Sequence, residues 1–143
     1  MNRPDFRILC IDDDANTCNW IRIMLHGSKV NAMLTTVTSG RQAFDLLGRK
    51  DFDLCILEYA LPDMTGVQFC SLIRQMGNDV PMMFFTAMNR PIDRQRAFGS
   101  GADEYLCKPD DLGKFVSSVI RLLNRRTPIY IPFRRFSDAP KAA

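Results

Sequence analysis

Apolar positions along the chain alternate between two spacings, which predict alternating strands and helices. Continuous apolar runs predict five short strands, at 6–11, 33–38, 54–57, 80–85 and 105–107. Apolar residues at helical spacing predict five helices, at 17–25, 41–47, 69–76, 92–98 and 112–123. Strands that are apolar at every position are typical of a parallel sheet covered on both faces. We therefore predict an α/β fold with a doubly wound, five-stranded parallel sheet, flavodoxin-like in its strand order 2-1-3-4-5.

The composition is that of a globular protein with a single core. A length of 143 residues fits one domain, and no apolar run approaches the roughly 18 residues of a membrane span. Residues 1–7 lack the apolar core of a signal peptide, so we expect a cytoplasmic protein without a membrane partner. The five cysteines include no Cys-x-x-Cys spacing, which favours reduced, buried thiols over a metal or redox site.

Positive charge is concentrated at the end of the chain. The net charge is +3, yet residues 121–143 carry six basic residues and one acidic residue. Such a run is usually a solvated surface, so no nucleic-acid partner is expected. We assign residues 1–126 to one domain and residues 127–143 to a basic, proline-rich tail that is too short to fold as a second domain.

Polar side chains follow several of the predicted strands. They are Asp12, Asp13, Glu58, Thr86 and Lys108. The carboxyl ends of parallel strands meet at one rim of the sheet, so these residues should converge there. Three carboxylates with one lysine favour a divalent cation such as Mg²⁺, and a metal, a lysine and a hydroxyl around a carboxylate suit phosphoryl transfer to that carboxylate. We also expect the long side chain of Glu58 to form an ion pair with Lys108.

Five segments together resemble one known family. They read Ile-Leu-Cys-Ile-Asp-Asp-Asp at 8–14, Leu-Pro-Asp-Met-Thr-Gly at 61–66, Phe-Thr-Ala at 85–87, Gly-Ala-Asp-Glu-Tyr-Leu at 101–106 and Lys-Pro at 108–109. In these segments the chain resembles the receiver domain of two-component response regulators, from about Phe6 to Asn124. The resemblance implies a non-enzymatic signalling protein of a phosphorelay.

The resemblance also implies a role for each residue of the rim. Asp12 and Asp13 would hold Mg²⁺ together with the residue at the phosphoacceptor position, Glu58, and the carbonyl of Ala60. The hydroxyl of Thr86 would be the switch that contacts a phosphoryl group, and Lys108 would pair with that group. Tyr105 would be the aromatic switch that turns inward on activation.

The chain departs from the family at the phosphoacceptor, which is an aspartate in the family and Glu58 here. The chain has fourteen aspartates and only two glutamates, so a general preference for glutamate over aspartate does not explain the glutamate at position 58. The extra methylene moves the carboxylate outward by about 1.5 Å, and a misplacement of about 1 Å costs roughly 10²-fold in a positioned reaction. We therefore expect Glu58 not to be phosphorylated normally and Mg²⁺ to bind weakly.

These expectations describe an atypical, stand-alone receiver, or pseudo-receiver, that acts through protein contacts. Its partners would be a sensor kinase or a downstream effector bound through helix 4, strand 5 and helix 5, roughly Asp93–Asn124, and a homodimer stays open. Two alternatives remain. One is a drifted scaffold without switching. The other is a haloacid-dehalogenase-type phosphatase that uses Asp12 and Asp14.

Overall fold

Five strands and five helices alternate along the chain, as the apolar spacing predicts. The computed structural model describes residues 4–126, so the predicted tail at 127–143 lies outside the described residues. The elements are β1 (Phe6–Ile11), α1 (Ala15–His26), β2 (Ala32–Val37), α2 (Gly40–Leu47), β3 (Leu54–Leu57), α3 (Gly66–Gln75), β4 (Met82–Thr86), α4 (Pro91–Gly99), β5 (Glu104–Cys107) and α5 (Phe115–Arg126). Within residues 4–126, every helix is too short or too polar to cross a bilayer.

The strands form one parallel sheet in the order β2-β1-β3-β4-β5, which confirms the predicted topology. Because β1 and β3 are central, their carboxyl ends bring Asp12 and Glu58 side by side, as shown by the pairing of Ile11 with Leu57. β2 lies on one side of β1 and the later strands lie on the other, so the strand order reverses at β1. Doubly wound sheets form their sites at such a point.

Most element boundaries differ from the sequence prediction by one to three residues, and two of these differences have a clear physical reason. The fourth strand begins at Met82, two residues later than predicted, and the preceding Pro81 has no N–H to donate to a sheet. The last helix was predicted from Leu112, but Leu112–Lys114 forms a 3₁₀ turn and the α-helix begins at Phe115. Tight 3₁₀ turns are common at helix ends, and apolar spacing does not distinguish them from α-helix.

The sheet separates two apolar cores. On β1, Ile8 and Cys10 pack against α1 and α5, whereas Leu9 and Ile11 pack against α2, α3 and α4. This alternation follows from the two-residue period of a strand. Each aliphatic side chain buried in this way contributes about 1.5–3 kcal/mol, so both faces of β1 anchor the strand that carries the acidic residues.

Local interactions shape the loops at the carboxyl ends of the strands. Asp14 caps α1, and Thr65 caps α3 in a reciprocal capping box with Gln68. Gly66 lies so close to β3 that an added Cβ would stand 2.6 Å from the backbone oxygen of Glu58. Glycine at 66 therefore lets α3 begin directly against Glu58.

Candidate functional site

Asp12 is the buried carboxylate of the rim. It follows β1 and is 3% exposed, whereas Asp13 is exposed. Asp12 Oδ1 accepts a hydrogen bond from the Asp14 amide at 2.8 Å, and Asp12 Oδ2 lies 3.8 Å from Lys108 Nζ. Burial raises the pKa of Asp12 from 3.8 to about 6, because removal of water outweighs the hydrogen bond and the lysine.

The Glu58 carboxylate folds back onto the residues that follow it. Glu58 Oε2 accepts hydrogen bonds from the Tyr59 amide at 2.6 Å and from the hydroxyl of Thr86, with a longer contact of 3.5 Å from the Ala60 amide. Glu58 Oε1 lies 3.4 Å from Lys108 Nζ, so the predicted ion pair is present. A hydroxyl, two amides and an ammonium group therefore converge on one carboxylate.

Lys108 contacts side chains from several elements of the rim. It follows β5, and the bond between Lys108 and Pro109 is cis. Its ammonium group donates to Thr17 Oγ1 at 3.1 Å, which is shorter than its distances to Glu58 and Asp12, and it lies 5.2 Å from the centre of the Phe85 ring. The sequence pattern marked Thr17 only as a helical packing residue. Its position three residues after the N-cap, on the face of α1 toward the rim, was the signal available.

Thr86 and Tyr105 are both fully buried and meet at Met88. The Met88 amide donates to Thr86 Oγ1 at 3.2 Å, and the Tyr105 hydroxyl donates to the Met88 carbonyl at 2.7 Å. The Tyr105 ring stacks on Phe84, and burial raises the pKa of Tyr105 above its ordinary value. Tyr105 therefore points inward, and it shares the β4–α4 loop with Thr86.

Two further aspartates near β3 are committed to other contacts. Asp63 accepts hydrogen bonds from the amides of Gly40 and Arg41 at 2.9 Å each, which lower its pKa and tie the loop to the start of α2. Asp53 accepts from the Arg7 amide at 2.8 Å, at the opposite end of the strand. Neither carboxylate lies where Glu58 stands.

The carboxylates do not form a metal cage in this arrangement. Among residues 4–126, no three histidine, cysteine or acidic side chains form a group able to hold a metal ion. The Glu58 carboxylate is instead engaged by the hydroxyl of Thr86 and the Tyr59 amide. The ligand set expected for Mg²⁺ is therefore incomplete as the side chains stand.

Comparison with known proteins identifies the family. A family model described as the response regulator receiver domain matches residues 8–120. The chain belongs to the response regulator receiver domain family. Receiver domains take part in two-component signalling, they generally bind Mg²⁺ for phosphorylation, and response regulators interact with histidine kinases and effectors.

Individual relatives agree with this assignment. Response regulator RppA of Synechocystis sp. is 32% identical over 128 residues, which cover 88% of this chain and 53% of that protein. Transcriptional regulatory protein PcoR of Escherichia coli is 33% identical over 119 residues, which cover 83% of this chain and 52% of that protein. The receiver therefore spans about half the length of the curated relatives it matches.

Solved structures show the same fold. A two-component response regulator from Clostridium difficile superposes with a TM-score of 0.77 at 27% identity, over 85% of this chain and 98% of that chain. The non-phosphorylated HemR receiver domain from Leptospira biflexa gives a TM-score of 0.72 at 29% identity, over 85% and 94% of the two chains.

The receiver fold gives Asp14 a structural task. Its Oδ1 accepts from the Asn16 amide at 2.9 Å, as expected of an N-cap. The phosphatase alternative needed Asp14 as an acid/base catalyst beside Asp12. The cap and the family membership both favour the receiver interpretation.

Proposed function

We propose that this receiver signals without ordinary phosphorylation, because Glu58 holds the switch residues where a phosphoryl group would hold them. The observation that carries the proposal is the pair of contacts on the β4–α4 loop. Thr86 donates its hydroxyl to Glu58, while Tyr105 is fully buried and bonded to Met88. By resemblance to the family, these are the contacts of an activated receiver.

The geometry supports mimicry rather than acceptance of phosphate. A phosphoryl group offers three oxygens to a hydroxyl, a lysine and backbone amides. The Glu58 carboxylate already takes the hydroxyl of Thr86, the ammonium group of Lys108 and the amide of Tyr59. A nucleophilic attack from Glu58 would have to break these contacts first. The mimicry is partial, because a carboxylate carries one negative charge where a phosphorylated side chain carries nearly two.

The proposal includes weak binding of Mg²⁺. Mg²⁺ requires near-ideal octahedral geometry, and the Glu58 carboxylate is already engaged by Thr86, Lys108 and the Tyr59 amide. Asp12 and Asp13 with the carbonyl of Ala60 are the groups that would hold the ion if Glu58 released Thr86. The ion would supply positive charge beside the carboxylates when bound.

We further propose that the output is a protein contact made by α4, β5 and α5, as inferred for the family. Three apolar side chains on α4 and α5 are partly exposed there, namely Ile92 at 39%, Phe98 at 40% and Ile120 at 38%. Arg94 of α4 couples the inward ring of Tyr105 to that surface, because its guanidinium carbon lies 5.6 Å from the centre of the ring. A sensor kinase, an effector or a second copy would dock on this face.

A phosphorylation assay tests the acceptor. Wild type, Glu58→Asp and Glu58→Gln are incubated with Mg²⁺ and acetyl phosphate, and the intact mass is measured. We expect a hydroxylamine-labile phosphoryl adduct only in Glu58→Asp, because the shorter side chain restores the reach of the carboxylate. An adduct on Glu58 of the wild type would overturn the proposal. No adduct in Glu58→Asp would favour the drifted scaffold.

Hydrogen exchange tests the mimicry separately. Glu58→Ala removes the acceptor of the Thr86 hydroxyl, so the Met88 amide should exchange about tenfold faster, since a hydrogen bond to a charged group contributes about 1.5 kcal/mol or more. Asp13→Ala is the matched control, because Asp13 is exposed on the same rim. Equal exchange at Met88 in wild type and Glu58→Ala would show that Glu58 does not hold the loop.

A further inference from the structure

Two cysteines lie in contact beneath the acidic rim. Cys10 Sγ and Cys18 Sγ are 3.9 Å apart, one on β1 and the other on α1. The thiol of Cys18 also contacts the backbone carbonyl of Asp12, at 3.7 Å. Both side chains belong to the apolar core between the sheet and α1, and the proposed mimicry by Glu58 does not use their thiols. Their spacing of eight residues gives no Cys-x-x-Cys signal, so only the packing of α1 on β1 reveals the pair.

We propose that Cys10 and Cys18 are a modification site, where a hydroperoxide converts the two thiols into a reversible disulfide that reports the oxidation state to the acidic rim. Both residues stand where a bond would close a loop containing Asp12 and Asp13. The site is independent of phosphorylation, and it does not rest on the role proposed for Glu58.

The chemistry balances with a hydroperoxide as the oxidant. The thiol of Cys18, which is 8% exposed against 1% for Cys10, attacks the peroxide and becomes a sulfenic acid, while the peroxide is reduced to an alcohol or water. The thiol of Cys10 then attacks that sulfur. The S–S bond forms, the S–O bond breaks, and the oxygen leaves as water with the proton of the thiol. Two exchanges with an external thiol reverse the reaction.

Closing the bond moves α1. A disulfide needs its sulfur atoms about 2.05 Å apart, so they must approach by about 2 Å. β1 is hydrogen-bonded on both sides, to β2 and β3, whereas α1 lies on the sheet surface. The first turns of α1 therefore take the part of the shift that rotation of the two side chains does not supply. They carry Thr17, which accepts the hydrogen bond from Lys108, and Trp20, whose ring stacks 5.3 Å from that of Phe85.

A peptide map of the full chain tests the bond. Reduced protein is treated with hydrogen peroxide, denatured, alkylated with N-ethylmaleimide and digested with trypsin. Both cysteines fall in the peptide 8–22, between Arg7 and Arg22. We expect this peptide without alkyl groups and two hydrogens lighter, and with dithiothreitol before alkylation we expect two alkyl groups. A doubly alkylated peptide after peroxide, a sulfinic acid on Cys18, or a bond to another cysteine would overturn the proposal.

Two variants and one optical signal sharpen the test. Cys107→Ser is the matched control, because Cys107 is more exposed than either partner, and peptide 8–22 should close in it as in wild type. Cys10→Ser should leave Cys18 unable to close the loop. Trp20 is the single tryptophan, so its emission should shift on oxidation of wild type, return with dithiothreitol, and stay unchanged in Cys10→Ser. A closed peptide with unchanged Trp20 emission would overturn the link to the rim.

Discussion

The amino ends and the carboxyl ends of the strands form two rims of the sheet, and the charged side chains at the two rims have opposite roles. At the amino rim, the guanidinium group of Arg74 donates to the carbonyls of Gly101, Asn78 and Val80 and to the carboxylate of Asp103. At the carboxyl rim, Asp12 and Glu58 share a single ammonium group, that of Lys108, and the exposed Asp13 adds a third carboxylate. One rim is neutralised and saturated with hydrogen bonds, and the other carries excess negative charge.

This difference in charge balance indicates that the amino rim is a structural cluster and that the carboxyl rim is a functional site. Asp103 accepts from the Met82 amide at 2.9 Å and also pairs with Arg125 at 3.3 Å, so the amino rim ties the starts of β4 and β5 to α3 and α5. No ligand is needed to balance it. The excess charge at the carboxyl rim costs stability, because Asp12 is buried with an incompletely compensated carboxylate. Such a cost is expected where a rim serves switching rather than folding.

Breaking the amino rim should have the largest effect on stability. Arg74→Ala removes the donor of three carbonyls and one of the partners of the partly buried carboxylate of Asp103, and the loss should be about 3 kcal/mol in the free energy of unfolding. Urea denaturation measures it. Arg41→Ala is the control, because its ion pair with Asp45 is largely exposed and should contribute less than about 0.5 kcal/mol. A loss below about 1 kcal/mol for Arg74→Ala would contradict the comparison.

Removing charge from the carboxyl rim should instead stabilise the protein. The pKa of Asp12 rises from 3.8 to about 6 on folding, so its ionised form is penalised in the folded state. Without metal, Asp12→Asn should gain about 2 kcal/mol at pH 7, and Asn Oδ1 still accepts from the Asp14 amide.

The sign of the pH dependence is fixed by the same shift. Below about pH 4 Asp12 is protonated in both states, so the gain from Asp12→Asn vanishes. It should grow between about pH 4 and 6 and then stay constant. Urea denaturation over this range measures it, with the exposed Asp13→Asn expected within about 0.5 kcal/mol of wild type throughout. A gain that shrinks as the pH rises would show that Asp12 is stabilised by its surroundings.

The same contrast explains how far sequence reasoning reached. The apolar runs of β1, β3 and β4 predicted the buried sheet, because continuous burial leaves little choice of residue type. The convergence of Glu58 and Lys108 followed from strand order alone. What stayed hidden were contacts set by side-chain rotation and helix packing, namely the turn of Glu58 toward Tyr59, the bond from Lys108 to Thr17, and the contact between Cys10 and Cys18.

The smallest expected effect tests how Lys108 is held. Thr17 Oγ1 is its shortest contact, at 3.1 Å, and Thr17 is 8% exposed. Thr17→Val keeps the shape and removes the acceptor, so it should cost about 1 kcal/mol of stability, whereas Thr17→Ser keeps the hydroxyl and should lose less.

A double-mutant cycle isolates the contact between Thr17 and Lys108. If the loss in Thr17→Val comes from the bond to Lys108, it should nearly vanish in a Lys108→Met background, giving a coupling of about 1 kcal/mol. Additive losses would mean that Thr17 acts through packing alone, or through its weaker contact with Asp14 at 3.5 Å. Lys108 would then be positioned by the carboxylates of Glu58 and Asp12 alone, and the hydroxyl of Thr17 on α1 would not help to hold it. A measured coupling would instead show that α1 sets how much of the lysine's charge each carboxylate receives.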